Sequence, residues 1–460
     1  MRPMAVDWPR GQDGPTPRRA TGAGQTALPA RAAQRQKETD AMGQGIATLS
    51  GFLRENIRWL LAGFLLTFAS SFGQTFFIAV FAGEIRAEFG LSHGAWGSLY
   101  AAATMSSAAV MVFAGGLTDR FRVRHIGVVI LFLMACAALT MSQVSALWGL
   151  AITLFLLRLF GQGLLGHMAM VGMARWFVAT RGRAVSIASL GVATGEALLP
   201  ISFVLLLGAF DWRMLWVIGA MALMLLAPVI YGLLQRERTP QSFASDAGTL
   251  GMEGRNWTRP QVARHWLFWA MIPAMMGPAA WGTAFFFHQV HLAEAKGWAH
   301  LSLVSVFPVY TATSIVFMVF AGWLVDRFGC ATLARFYLLP CALGFAILGV
   351  SDTLLIASAG IVMMGMTGGM NATMSSTLWA EYFGTRNLGS IRAMATAIMV
   401  LGTGIGPSVS GLLIDAGLDF GEQSLMIAAY FAVAATLAGI ATHKARRLLP
   451  PRAAQAASAR

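Results

Sequence analysis

Two ionisable side chains stand deep inside apolar runs of this sequence: Arg158 in the run 147–174 and Glu196 in the run 184–210. At 1.5 Å of helical rise per residue, Arg158 lies roughly 16 Å and Glu196 roughly 18 Å along their runs, near the middle of a hydrocarbon layer about 30 Å thick. A charge at that depth is expensive, so by default it marks a functional group. The planar guanidinium of Arg158 suits bidentate capture of an anion. Burial penalises the charged form of a carboxylic acid, so Glu196 suits carriage of a proton. The two stand at matching depth on consecutive runs, and a second reading joins them as a permanent ion pair that only locks two helices together.

Other polar side chains in apolar runs are Gln74, Thr75, His288 with Gln289, Tyr310 and Asn371. Each can hydrogen-bond a bound molecule or, equally, a neighbouring helix. His167 reads as a core histidine, and the Met- and Gly-rich stretch 363–374 as close helix packing. Cys136, Cys330 and Cys341 have no metal-ligand spacing and read as small core hydrophobes. No nucleophile with its base, metal cluster or phosphate-binding loop is visible, so neither catalysis nor a metal or cofactor is expected.

The elements that hold these groups follow from composition. Of 460 residues, 57% are hydrophobic and 12% charged, half the charged content of an ordinary soluble domain. That composition predicts an all-α membrane protein. Apolar runs of spanning length cover 59–82, 95–114, 126–143, 147–174, 184–210 and 213–234, then, after a polar stretch at 235–264, 266–290, 301–325, 331–350, 353–379, 389–415 and 424–442. The expected organisation is a basic, unstructured tail over 1–55 with an interfacial helix near its end, a six-helix half over 56–234, a central loop over 235–264, a second half over 265–443 and a basic tail over 444–460. The first tail also reads as a transit peptide, or as an upstream start with Met42 as the true one. The net charge of +13 belongs to tails and short loops, which points to lipid headgroups and not to nucleic acid. With the N-terminus inside, the inner loops hold fifteen arginines and the outer loops and rims only Arg86, Arg213 and Lys296. Both termini are therefore expected in the cytoplasm.

The loop after the second run reads Gly116-Leu117-Thr118-Asp119-Arg120-Phe121-Arg122-Val123-Arg124, and Asp326-Arg327 repeats its Asp119-Arg120 at an offset of 207 residues. Trp176-Phe177 and Pro200 of the first half likewise answer to Tyr382-Phe383 and Pro407 of the second. Parallel repeats of this kind are a transporter architecture. The loop resembles the signature Gly-x-Leu-x-Asp-Arg-x-Gly-Arg-Arg of the major facilitator superfamily, with Arg122 at the place of its second glycine. The segment from Arg175 to Pro200 looks like the monocarboxylate porters and the oxalate/formate antiporter-like group, although the run 301–325 lacks their basic residue. The stretch from Arg158 to Gly163 is similar to the fourth-span motif of proton-coupled drug exporters.

The resemblance implies twelve spans in two six-helix halves, with the first, fourth, seventh and tenth lining a central cavity. It implies a monomeric secondary transporter of a bacterial inner membrane, driven by a proton or other ion gradient and working by alternating access. The expected cargo is a small organic anion such as a carboxylate, bound at Arg158 and moved by symport or exchange. Drug export is the alternative, and a sensor or scaffold without transport is the alternative of another class. Asp119, Arg120 and Arg124, with Asp326, Arg327 and Glu381, are expected to form a cytoplasmic gate. In it, Asp119 would cap the start of the eleventh span, and Glu381 would pair with Arg327 or another arginine.

Overall fold

A computed structural model describes residues 51–114, 121–177, 180–235 and 250–449. Residues 1–50 of the expected tail over 1–55, the loop residues Asp119 and Arg120, residues 236–249 of the central loop over 235–264 and residues 450–460 of the tail over 444–460 lie outside the described residues. Residues 1–57 and 58–460 form two compact units. Of the first, 51–57 is helical. The second carries the rest of the fold.

Every regular element among the described residues is helical, because an isolated strand in lipid would leave its peptide groups without partners. Ten helices are long and apolar enough to cross a membrane, and a pair bent by 47°, Gly51–Gly73 and Thr75–Phe89, brings the number to eleven. Helix His93–Ala114, 22 residues long, takes the place of the second span. Its apolar residues are diluted by Gly, Ser and Thr. With it, the helices follow the order of the twelve apolar runs. The departure is the first span, read from sequence as one rod over 59–82, which breaks and continues to Phe89.

The duplication seen in the loops recurs in the packing. The third span, Val123–Gln143, packs on the sixth, Trp212–Leu233, and the ninth, Cys330–Val350, packs in the same way on the twelfth, Phe420–Arg446. The second packs on the fourth, Leu147–Trp176, as the eighth, His300–Val325, packs on the tenth, Leu354–Phe383. Between the halves, the second meets the eleventh, Leu388–Asp415, and the eighth meets the fifth, Gly182–Leu207. Raising every number by six, and counting round, turns one contact into the other.

The contact between second and eleventh spans is backbone on backbone. A methyl group at Gly97 would stand 2.6 Å from the Pro407 carbonyl oxygen, and one at Gly411 would stand 2.4 Å from that of His93. At the start of the second span the backbone N–H groups of His93 and Gly94 donate to the Asp415 carboxylate at 2.9 and 2.8 Å. An acid from one half thus caps the positive end of a helix in the other, and the halves are joined at this end.

At the opposite end, part of the central loop is ordered. Helix Arg259–Arg264 opens with a capping box of Thr258 and Gln261, and Trp257 is buried against Phe383. The Trp257 N–H donates to the Phe383 carbonyl at 3.0 Å, and Asn387 Nδ2 donates back to the Trp257 carbonyl at 2.9 Å. The loop braces the junction of tenth and eleventh spans.

Candidate functional site

The break in the first span organises the middle of the molecule. Ser71–Gly73 is a turn of 3-10 helix, Gln74 is extended at φ −86° and ψ 155°, and helix resumes at Thr75–Ile78. Such a break frees backbone carbonyls in a place without water. Arg158 meets one of them. Its Nη1 donates to the Gly73 carbonyl at 3.0 Å and its Nε donates to Thr104 Oγ1 at 3.1 Å. The guanidinium lies 5.0 Å from the centroid of the Tyr100 ring, and the Tyr100 hydroxyl shares a hydrogen bond with Thr75 Oγ1. The residue is 1% exposed, and its Nη2 has no hydrogen-bond partner.

The fourth span is shaped for this meeting. Residues Arg158–Leu165 form a π-helix, a departure from α-geometry that is common at functional sites. A methyl group at Gly73 would stand 2.2 Å from the Leu157 carbonyl oxygen, and one at Gly161 would stand 2.6 Å from the Gly73 Cα. Two glycines therefore let the broken and the widened helix touch.

Beside the break lies a cavity of about 270 Å³ whose lining includes Gln74, Thr75 and Phe76 of the first span, Gln162 of the fourth, Val192 and Glu196 of the fifth, and Tyr310 of the eighth. Pro278, Gly282, Thr283 and Phe286 of the seventh span and Thr403 of the eleventh complete it. Glu196 is the only carboxylic acid in this lining, and no Lys, Arg or His joins it. Its Oε2 accepts from Thr311 Oγ1 at 3.0 Å, across the two halves.

The six expected substrate contacts divide evenly. Gln74, Thr75 and Tyr310 line the cavity. Arg158 lies one layer behind it, bonded to Gly73 and Thr104, and no ion pair joins it to Glu196. The reason is the broken helix, whose carbonyl supplies the partner that a straight helix would have denied it. His288 is buried at the His93 end with Nε2 3.0 Å from the Pro407 carbonyl oxygen, and Asn371 lies away from the cavity lining. Gln162, Thr283, Thr311 and Thr403 were not anticipated. Gln162 stood inside the quoted stretch from Arg158 to Gly163, where its amide was a signal; threonines in apolar helices usually satisfy themselves on their own helix and give none.

Of the expected gate, Asp119 and Arg120 lie outside the described residues, as does the side chain of Asp326. Arg124 turns back within its own half, donating to the Gln235 carbonyl at 3.3 Å with its guanidinium 5.1 Å from the Tyr231 ring centroid. Glu381 accepts the backbone N–H of Cys330 at 2.9 Å, and among the described residues it pairs with no arginine. Arg327 lies over the rings of Trp323 and Phe328 at 6.0 and 5.8 Å.

A sequence profile described as Major Facilitator Superfamily matches residues 63–407 and 309–458. The chain belongs to the major facilitator superfamily. It is an integral, multi-pass membrane protein of a transporter family. A bacterial homolog of the human lysosomal transporter Spinster, solved inward-facing and unoccupied, superposes with a TM-score of 0.64 at 16% identity, covering 85% of this chain and 98% of that one. The nucleoside transporter NupG superposes with a TM-score of 0.61 at 15% identity, covering 85% and 99%. These likenesses establish the superfamily fold. In sequence, the Multidrug resistance protein B homolog of Mycobacterium tuberculosis is 32% identical over 118 residues. That match spans 24% of this chain and 22% of that protein.

Proposed function

We propose that this superfamily member is a proton-coupled exchanger of small amphipathic molecules, cationic or neutral, in which Glu196 carries the coupling proton. The observation that carries the reading is the cavity lining: one carboxylic acid and no basic group, faced by Phe76, Phe286 and Tyr310. Aromatic faces attract organic cations, and Gln74, Gln162, Thr283 and Thr403 offer hydrogen bonds. A buried carboxylate needs either a proton or a cationic partner. Binding of one displaces the other, and that competition is exchange. The partial match to a multidrug resistance protein homolog is in keeping with it.

The excess of arginine in alternate loops supports an orientation with both termini in the cytoplasm, in a bacterial inner membrane. In that orientation the end joined at Asp415 is the outer one. Outward opening would part Asp415 from His93 and Gly94, separate Thr311 from Glu196, and close the opposite end, where Asp119 would cap the eleventh span.

A second reading, transport of a small carboxylate, is favoured by Arg158, whose buried guanidinium has a free Nη2. It requires Arg158 to leave the Gly73 carbonyl and enter the cavity. Proteoliposomes with an imposed pH gradient separate the two. The exchange reading expects labelled lipophilic cations to move against protons and Glu196→Gln to abolish their gradient-driven accumulation. Uptake of carboxylates but not of cations, lost in a folded Arg158→Lys variant, would establish the second reading and overturn the first.

A further inference from the structure

A groove of about 530 Å³ runs between the ninth and twelfth spans, far from the central cavity and at the end of the bundle that carries the ordered central loop. Its apolar part is built from Leu339, Ala435 and Ile440. Gly439 sits at its floor, where an added methyl would stand 3.4 Å from Arg335 Cγ; the missing side chain lets the Arg335 stem lie along the twelfth span. At the mouth stand Arg335, His443 and Lys444. Arg335 Nη2 is 2.8 Å from His443 Nδ1. Two basic groups share a hydrogen bond only if the imidazole is neutral and accepts at Nδ1, which leaves its Nε2–H as a donor. The mouth therefore offers guanidinium, imidazole and ammonium N–H groups, and among the described residues none of the three side chains pairs with a carboxylate.

Three converging donors without an acceptor suit a phosphate diester. The groove below suits an acyl chain. Leu339, Leu343, Leu437 and Ile440 around it are between 44% and 51% exposed, so the groove opens onto the lipid. We propose that this groove is a binding site for an anionic phospholipid, its phosphate held by Arg335, His443 and Lys444 and one acyl chain lying on Leu339, Ala435 and Ile440. A lipid held there links the ninth and twelfth spans, the outer pair of the second half, at the end where the helices move when access alternates. Basic pockets between spans recognise such headgroups through charge and shape together.

The test uses the full chain purified in a neutral detergent, with native mass spectrometry to count bound lipid and thermal unfolding to read stabilisation. Dioleoyl phosphatidylglycerol, dioleoyl phosphatidylcholine and inorganic phosphate are compared. The expected result is one retained phosphatidylglycerol that raises the melting temperature, little effect of phosphatidylcholine and none of inorganic phosphate. Each basic residue removed weakens the lipid by about fivefold, so Arg335→Gln with Lys444→Gln loses the preference. Because Arg335 also packs on Gly439, Lys444→Glu, at an exposed helix end, is the control that leaves the fold intact; it alone lowers phosphatidylglycerol affinity at least fivefold. Equal retention of phosphatidylcholine, equal stabilisation by inorganic phosphate, or unchanged preference in Lys444→Glu overturns the proposal.

Discussion

Arg158 shows how far a residue's chemistry depends on its partner. As a type at a depth it reads as an anion receptor; beside a broken helix it is a cap for the Gly73 carbonyl. Replacing it with alanine leaves that carbonyl without a donor, a loss of about 1–3 kcal/mol, and lets residues 74–76 shift. We expect Arg158→Ala to lower the melting temperature and weaken binding of every substrate, whereas Glu196→Gln should leave the melting temperature near wild type and remove the proton dependence. Loss of stability in neither variant, measured in detergent, would show that Arg158 does not support the break. Gly73→Ala tests the same contact from the other side. The new methyl would meet the Leu157 carbonyl oxygen at 2.2 Å, and overpacking of this kind costs about 1–3 kcal/mol.

Among the elements, the proposed mechanism assigns the conformational change to the second and eleventh spans, because their glycine-lined contact and the Asp415 cap join the halves at the His93 end. Asp415→Asn keeps the shape but weakens the charge on the helix end by roughly 0.3–1 kcal/mol, and should shift the population toward opening at the His93 end. Cysteine accessibility at position 98, within that contact, reports it. His291 adds a pH dependence. Helix Gln289–Ala295 places it with its ring 4.5 Å from that of His93 and Nε2 3.4 Å from Asp419 Oδ1. Burial holds its pKa below the ordinary 6.5 despite the opposing pull of Asp419 and Glu294, and Arg86 also disfavours its charge. A histidine lowered in this way favours the closed end above its ordinary range, and that support is lost as pH falls through 6.5 and below. Accessibility at position 98 should therefore rise between pH 8 and pH 5 in wild type. His93 and His288 face the same space, so His291→Gln should reduce that rise, and an undiminished rise would assign the effect to the other two.

For the whole molecule, the proposed alternating access rests on the doubled packing plan: if one end is closed by the second and eleventh spans, the fifth and eighth are their counterparts, and Thr311 with Glu196 joins the cavity to that second interface. On the proposed exchange mechanism, proton loss from Glu196 and parting of Thr311 would be one event. Thr311→Val should uncouple them, leaving substrate binding but slowing net exchange, which single-turnover counterflow separates from equilibrium binding. The gate at the other end is expected to answer to Asp119, and Asp119→Asn should raise the inward-open population as read by accessibility on that face.

The helical class, the order of the spans, the loop motif and the duplication were legible in the sequence, because lipid demands runs of about 20 apolar residues and charge gathers where those runs end. The depth of Glu196 was legible too, and packing places it in the cavity lining. The rest lay beyond any one run. The break after Gly73 packs against Gly161 on another helix, the neighbour of Arg158 is a backbone carbonyl that sequence spacing does not mark, and the Asp415 cap joins residues 321 apart. Depth along a helix is one-dimensional and can be counted; the side of the helix that a group faces, and the partner it meets there, is decided only when the helices pack.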